Sequence, residues 1–244
     1  GDTNAGRDIM KIALLADIHG NDLALACVLR AAREAGAERL FIAGDFVGYY
    51  YGAKAVLDLL DDWDWIAVRG NHEDMMRDWA AGRDHDAISA RYGSGQDVAC
   101  RELPPTTFDR LVDLPERREA AAGGRTALIC HGAPWDHEAY VYPDAPADVV
   151  AKCAAEGQDL VVFGHSHYPV LWHEGGCIVV NPGSVGQPRD RRPGACWALW
   201  DTASHAVTLH RESYDAAALI AEARRRDPQL PYLWKVLTRT EGSA

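Results

Sequence analysis

The sequence contains no apolar run long enough to span a bilayer, and residues 1–9 (GDTNAGRDI) are polar. Neither a membrane anchor nor a secretory signal is expected. The polar start reads as an expression remnant or a ragged native terminus, and the expected compartment is the cytoplasm. The six cysteines (Cys27, Cys100, Cys130, Cys153, Cys177, Cys196) include no C-x-x-C pair, which favours free thiols over a disulfide framework. Basic residues are outnumbered, 25 Lys and Arg against 36 Asp and Glu, giving a formal net charge of −11. That balance disfavours nucleic acid and anionic membranes as partners. No repeat or low-complexity stretch is visible. What remains is 244 residues, 48 % hydrophobic and 25 % charged, enough for one domain with a substantial core.

Residues 11–71 alternate strand, helix, strand, helix, strand. The first helix is capped by Asn21 and carries an apolar stripe of Leu25, Val28, Leu29 and Ala32; Gly36 ends it. A second helix is predicted over 53–60. This βαβ punctuation predicts an α/β fold with helices on the sheet faces. Helices are then predicted over 74–81, 84–102 and 106–114, read as a helical insertion (74–114) after the third strand, lying across the sheet's active edge. Short strands return from residue 117, interrupted by one helix over 147–156, with Gly175-Gly176 as a hairpin turn. A helical tail, 214–244, completes a single domain spanning 1–244.

Five apolar runs each end in a block of ligand-type side chains: Asp17-Ile18-His19, Gly44-Asp45, Gly70-Asn71-His72-Glu73, Cys130-His131-Gly132 and Gly164-His165-Ser166-His167. Strand C-terminal ends converge on one edge of a sheet, so five such blocks predict one cluster. A lone histidine is more often a surface or satisfied core residue; the repetition of the block carries the inference. Carboxylate and imidazole ligands without thiolates suit Mn, Fe, Zn or Ni, with manganese the first expectation. Seven ligands exceed the needs of one ion and fit two that share a bridge, for which Asp45 is the natural carboxylate. Two ions about 3.5–4 Å apart can hold a hydroxide between them, suited to in-line attack on phosphorus.

In this order the blocks resemble the calcineurin-like metallophosphoesterase superfamily over residues 11–201. Gly44-Asp45-Phe46-Val47-Gly48-Tyr49 and the stretch from Asn181 to Asp190 are similar to its prokaryotic phosphodiesterase-like branch. The resemblance implies a four-layer α/β/β/α sandwich. It puts Asp17, His19 and His167 on one metal, Asn71, His131 and His165 on the other, and Asp45 between them. It makes His72 a non-ligand that binds phosphate and protonates the leaving oxygen. One departure matters: where the superfamily's protein phosphatases carry Asp-Arg-Gly, this chain has Gly48-Tyr49-Tyr50. The carboxylate that would orient His72 and a phosphate-binding arginine are both absent there, which disfavours a protein phosphatase.

Other residues keep two readings. Arg189 either binds phosphate in place of the missing arginine or is a solvated loop residue. Asn21 caps its helix or hydrogen-bonds within the site, and the turn Asn181-Pro182-Gly183 shapes the metal edge. Tyr49, Tyr50, Trp135, Tyr140 and Tyr142 either wall the site for an aryl group or nucleobase, or fill the core. The expected activity is hydrolysis of a small phosphodiester or phosphoanhydride by a metal-bridging hydroxide. A dinucleoside polyphosphate hydrolase and a phosphomonoesterase are the alternatives, and a metal-free scaffold is disfavoured by the full ligand set. The expected partner is a small phosphorylated substrate, and a homo-oligomer stays open.

Overall fold

The computed structural model describes residues 8–243; residues 1–7 of the polar start lie outside them. Side-chain alternation along β1 (Lys11–Leu15) sets the layering. Ala13 and Leu15 face one side, Ile12 and Leu14 the other, as the two-residue period of a strand requires. The first face is covered by α1 (Asp22–Glu34), with Leu25, Val28, Leu29 and Ala32 buried, and by α2 (Ala53–Leu60). They connect β1 to β2 (Ala37–Ile42) and β2 to β3 (Asp64–Ala67), all parallel. Asn21 caps α1, its Oδ1 accepting from the Ala24 amide at 3.1 Å.

Four helices follow: α3 (Asn71–Ala80), α4 (His85–Tyr92), α5 (Gly95–Glu102) and α6 (Pro105–Val112). They correct the sequence reading in three respects. First, α3 begins at Asn71, not residue 74, because Glu73 reaches back to accept the Gly70 amide at 2.7 Å and closes the helix start. Second, the stretch 84–102 is two helices, broken at Gly93-Ser94 where the Ser94 amide donates to Asp227. Third, most of the insertion does not cross the ligand edge. Met76, Ala99, Leu103, Leu111 and Val112 pack it on the helix-covered face of the first sheet, and the end of α4 and Gln96 at the start of α5 reach the site.

The second sheet contains β4 (Arg117–Ala122), β5 (Arg125–Cys130), β6 (Leu160–Val162), β7 (Val170–Glu174) and β8 (Cys177–Asn181), with α7 (Ala147–Cys153) preceding β6. Gly175 and Gly176, at φ 56° and 85°, make the two-residue turn between β7 and β8 that only positive φ permits. β9 (Ala195–Asp201) and β10 (Ala206–Glu212) return to the first sheet, β9 running antiparallel to β1. The strand orders are β10-β9-β1-β2-β3 and β4-β5-β6-β8-β7. Ile12, Leu14, Phe41, Ile129, Val162, Ile178 and Trp200 fill the space between the sheets, while Cys153 on α7 packs with Leu128, Val161 and Val179 on the far side. The result is the expected α/β/β/α sandwich. Finally, α8 (Ala217–Arg226) and α9 (Tyr232–Lys235) pack Leu219, Ala223 and Leu233 against Tyr49, Tyr50 and Tyr51. Among the described residues no helix is long and apolar enough to cross a membrane.

Candidate metal centre

Every ligand-type residue sits just beyond the C-terminal end of a strand: Asp17 and His19 after β1, Asp45 after β2, Asn71 after β3, His131 after β5, His165 and His167 after β6. The loops are tied to one another. The Asp17 amide donates to the Gly44 carbonyl at 3.1 Å and the His19 amide to the Asp45 carbonyl at 3.0 Å. Asp17, His19, Asp45, His165 and His167 all have φ between 53° and 71°, a region side chains seldom occupy. Such backbone costs about 1–3 kcal/mol per residue and persists where the surroundings over-determine it, commonly at functional sites.

The side chains converge in two overlapping groups, Asp17 with His19 and His167, and Asp45 with His131 and His165; the ligand atoms of each lie within 4.8 Å of one another. Asp45 Oδ2 lies 3.6 Å from His19 Nε2 and 3.3 Å from His131 Nε2. It therefore stands between the groups. Asn71 Oδ1 joins the second at 3.0 Å from His131 Nε2. All seven residues are buried.

The hydrogen bonds behind these rings fix what they present. His19 Nδ1 is 3.1 Å from the Val47 carbonyl, His131 Nδ1 2.7 Å from that of Ala43, and His167 Nδ1 2.7 Å from that of Gln187. A carbonyl only accepts, so each Nδ1 carries the proton and each Nε2 turns a lone pair inward. His19 Nε2 and His167 Nε2 then face each other at 3.0 Å, two lone pairs without a proton between them. A cation satisfies that arrangement, and the donors (imidazole nitrogen, carboxylate and amide oxygen) fit a divalent metal. At His131 a proton competes for the inward lone pair: burial opposes charge there, yet the Asp45 and Asp17 carboxylates outweigh it and push the imidazole well up, so the same field favours a cation. Burial, then repulsion from Asp45, pushes the Asp17 carboxyl up.

His72 differs from the others. A third group brings one of its ring nitrogens within 4.8 Å of His19 and Asp45, but its Nδ1 faces an amide nitrogen. Gln96 Nε2 donates to the His72 carbonyl at 3.0 Å and lies 3.4 Å from His72 Nδ1. Nδ1 is thus the acceptor, and the proton sits on Nε2, the reverse of the three ligand-type rings. Burial above all lowers His72 to about 4, so the ring is neutral near pH 7. Gly48 makes its place, because any Cβ there would collide with His72 Nδ1. Departure from Asp-Arg-Gly therefore leaves the ring oriented by Gln96 on α5 rather than by a carboxylate.

Three functional residues escaped the sequence reading. Glu73 accepts the amides of Asp45 (2.9 Å), Phe46 (2.6 Å) and Gly70 (2.7 Å), binding the Asp45 turn to the start of α3; its position three residues into a helix was the available signal. Gln96 and Arg91 had none, since nothing local marks a residue that reaches a distant site. Asn21 donates to the Gly186 carbonyl and to Tyr214 Oη, each at 2.9 Å, bracing the edge while capping α1. Asn181 Nδ2 donates to the Gly164 carbonyl and Ser166 Oγ, so the Asn-Pro-Gly turn supports the His165–His167 loop.

Above the cluster lies a cleft of about 60 Å³ lined by Asp45, Tyr49, Asn71, His72, Arg91, Tyr92, Tyr140, His165, His167 and Arg189. Larger clefts of about 390 Å³ at the tail and about 320 Å³ around Trp135 contain none of the seven ligand-type residues. Arg189 donates to Tyr49 Oη and Gln187 Oε1, both at 3.0 Å. Tyr140 stacks on His165 with centroids 4.0 Å apart, and Tyr142 stacks on Tyr140 at 5.8 Å. The other two aromatics lie elsewhere. Tyr50 is fully buried and donates to the Leu233 carbonyl, and Trp135 lines the separate cleft, 4.2 Å from Lys152 Nζ.

Comparisons with known proteins bear on the family and the fold. The chain is 29 % identical over 222 residues to the uncharacterized protein MJ0912 of Methanocaldococcus jannaschii, covering 84 % of this chain and 88 % of that one. It is 25 % identical over 222 residues to phosphodiesterase YfcE of Escherichia coli K12, covering 87 % and 99 %. The crystal structure of a metallophosphoesterase from Sphaerobacter thermophilus superposes with a TM-score of 0.76 at 28 % identity, covering 95 % and 99 %. The domain profile matched at residues 10–205 takes in every ligand-type residue of the cluster, and by it the chain belongs to the calcineurin-like phosphoesterase superfamily.

Proposed function

We propose that the protein is a dinuclear metal-dependent phosphodiesterase acting on a small phosphodiester or phosphoanhydride. The observation that carries the reading is Asp45, one carboxylate oxygen within 3.6 Å of imidazole nitrogens from both groups. Asp17, His19 and His167 would hold one ion, Asn71, His131 and His165 the other, with Asp45 shared. Bound there, divalent ions supply Lewis acidity, lowering the pKa of water toward about 7 and drawing charge from phosphoryl oxygens. Manganese is the ion we favour for this thiolate-free donor set.

The chain's own groups do the rest. Tyr49 and Gln187 hold the Arg189 guanidinium at the cleft, where it binds phosphoryl oxygens. His72 presents Nε2–H to the phosphoryl group and, as a neutral ring, stabilises the charge that builds on the leaving oxygen by donating a hydrogen bond to it. Tyr140 and Tyr142 offer a stacked platform for an aryl group or base. The small cleft supports a small substrate. The six unpaired cysteines support a reducing compartment, the cytoplasm.

Metal analysis combined with turnover of bis-p-nitrophenyl phosphate tests the reading. Wild-type protein should hold close to two ions per chain after supplementation with manganese and hydrolyse the diester. Asp45→Ala should lose at least one ion and nearly all turnover. Two retained ions with normal turnover in that variant would rule out the shared-carboxylate assignment.

A further inference from the structure

The cleft's 60 Å³ is far below the roughly 300–1,000 Å³ of a site that engulfs a ligand. It accommodates a phosphoryl group, and the rest of a substrate must lie across the rim. Two guanidinium groups reach that rim from unrelated parts of the chain. Arg189, half-buried, is fixed by Tyr49 and Gln187. Arg91, in the last turn of α4, is exposed and lines the cleft beside His72, Tyr92 and Tyr140.

Arg91 is placed to meet an anion. Its Cζ lies 5.2 Å from the centroid of the Tyr92 ring, which limits where the guanidinium can go. Among the described residues no carboxylate lies within 4.0 Å of Arg91 or Arg189, whereas Arg39, Arg69, Arg83 and Arg101 all pair with aspartate. In a chain of net charge −11, an unpaired guanidinium at the mouth of a phosphate-sized cleft leaves its donors free for phosphate oxygens. The neighbour that sets its role is His72, the hydrogen-bond donor placed for the leaving oxygen.

We propose that Arg91 is a specificity-determining residue that binds a second phosphate, carried by the leaving group. The preferred substrate is then a small phosphoanhydride, or a diester whose leaving group is itself phosphorylated, rather than a diester with uncharged arms. The assignment deepens the reading under Proposed function and rests on it for the position of the leaving group.

Isothermal titration calorimetry of the manganese-loaded protein, with AMP and with hydrolysis-resistant α,β-methylene-ADP, reads the second phosphate directly. Wild type should bind the diphosphate about 10- to 100-fold more tightly than AMP, the span of one charge-assisted hydrogen-bond contact. In Arg91→Ala that ratio should fall toward one, and Arg91→Lys should retain part of it. Thermal melting of both variants controls for folding; Arg91→Lys keeps the test open should Arg91→Ala melt early. A wild type that does not prefer the diphosphate, or a folded Arg91→Ala with an unchanged ratio, overturns the assignment. Turnover of bis-p-nitrophenyl phosphate separates the two readings. An Arg91-dependent diphosphate preference in a protein that hydrolyses no ester refutes the phosphodiesterase reading alone. Hydrolysis with a ratio indifferent to Arg91 refutes this one alone.

Discussion

At His72 the orientation of one neighbouring amide decides what the ring can do. A ring whose Nδ1 donates to a carbonyl, as in His19, His131 and His167, offers a lone pair inward. His72, facing Gln96 Nε2, offers a proton. We predict that His72→Ala keeps both metals and loses turnover by about 10²–10⁴-fold, the span of one positioned donor to a developing oxyanion. The loss should be smaller for p-nitrophenyl esters, whose leaving group needs little protonation, than for alkyl or nucleotide esters. Equal losses across leaving groups would instead assign His72 to phosphate binding. That His72 belongs to the site was legible in Gly-Asn-His-Glu. Its tautomer was not, because it depends on a side chain 24 positions along the chain and on the empty space at Gly48.

At the scale of elements, the strands and the helices of the βαβ half were legible because each follows from a local pattern. The first helix stripe and the Gly175-Gly176 turn needed no tertiary information. The insertion was harder, since the junction between α4 and α5 depends on the tail. Asp227, buried after α8, accepts from Tyr51 Oη at 2.6 Å, Ser94 N at 3.1 Å and Ser94 Oγ at 3.0 Å. The helix break at Gly93-Ser94 is thus fixed by a residue more than 130 positions away, and the same anchor holds the end of α4 from which Arg91 and Tyr92 face the cleft. Removing a buried acceptor leaves its donors unsatisfied at about 1–3 kcal/mol each. Ser94 is half-buried and water can take up its two donors, so Asp227→Ala should lower stability by roughly 2–4 kcal/mol rather than the full sum. It should also raise amide hydrogen exchange over residues 91–97 before the strands of the first sheet respond. Protection unchanged in that segment, or lost uniformly across the molecule, would mean that the tail does not set the junction.

For the whole molecule, topology and the metal centre bear on the same question. β9 lies between β10 and β1, so residues 195–212 complete a sheet begun at residue 11, while β4 to β8 form the other sheet from the chain between. No cut in the sequence separates the two sheets into successive halves, and on this ground we propose that the chain unfolds as one unit. The candidate ligands come from both sheets: β1, β2 and β3 carry Asp17, His19, Asp45 and Asn71, and β5 and β6 carry His131, His165 and His167. Ions bound among them would clamp the sheets at one edge, where lone pairs and carboxylates otherwise face each other in left-handed loops. Because binding selects the folded state, free ion at about 1,000 Kd should stabilise it by about 4 kcal/mol per site. For a chain of this length that corresponds to roughly 8–16 °C in melting temperature for each occupied site, about 16–32 °C for two. Calorimetry should then show a single transition that moves up by this amount between chelator-treated and manganese-saturated protein, with near-ultraviolet dichroism tracking the same midpoint. Asp45→Ala should lose most of the shift. Two resolved transitions would break the single-unit proposal, and an unshifted midpoint at saturating manganese would detach the metal from the stability of the fold.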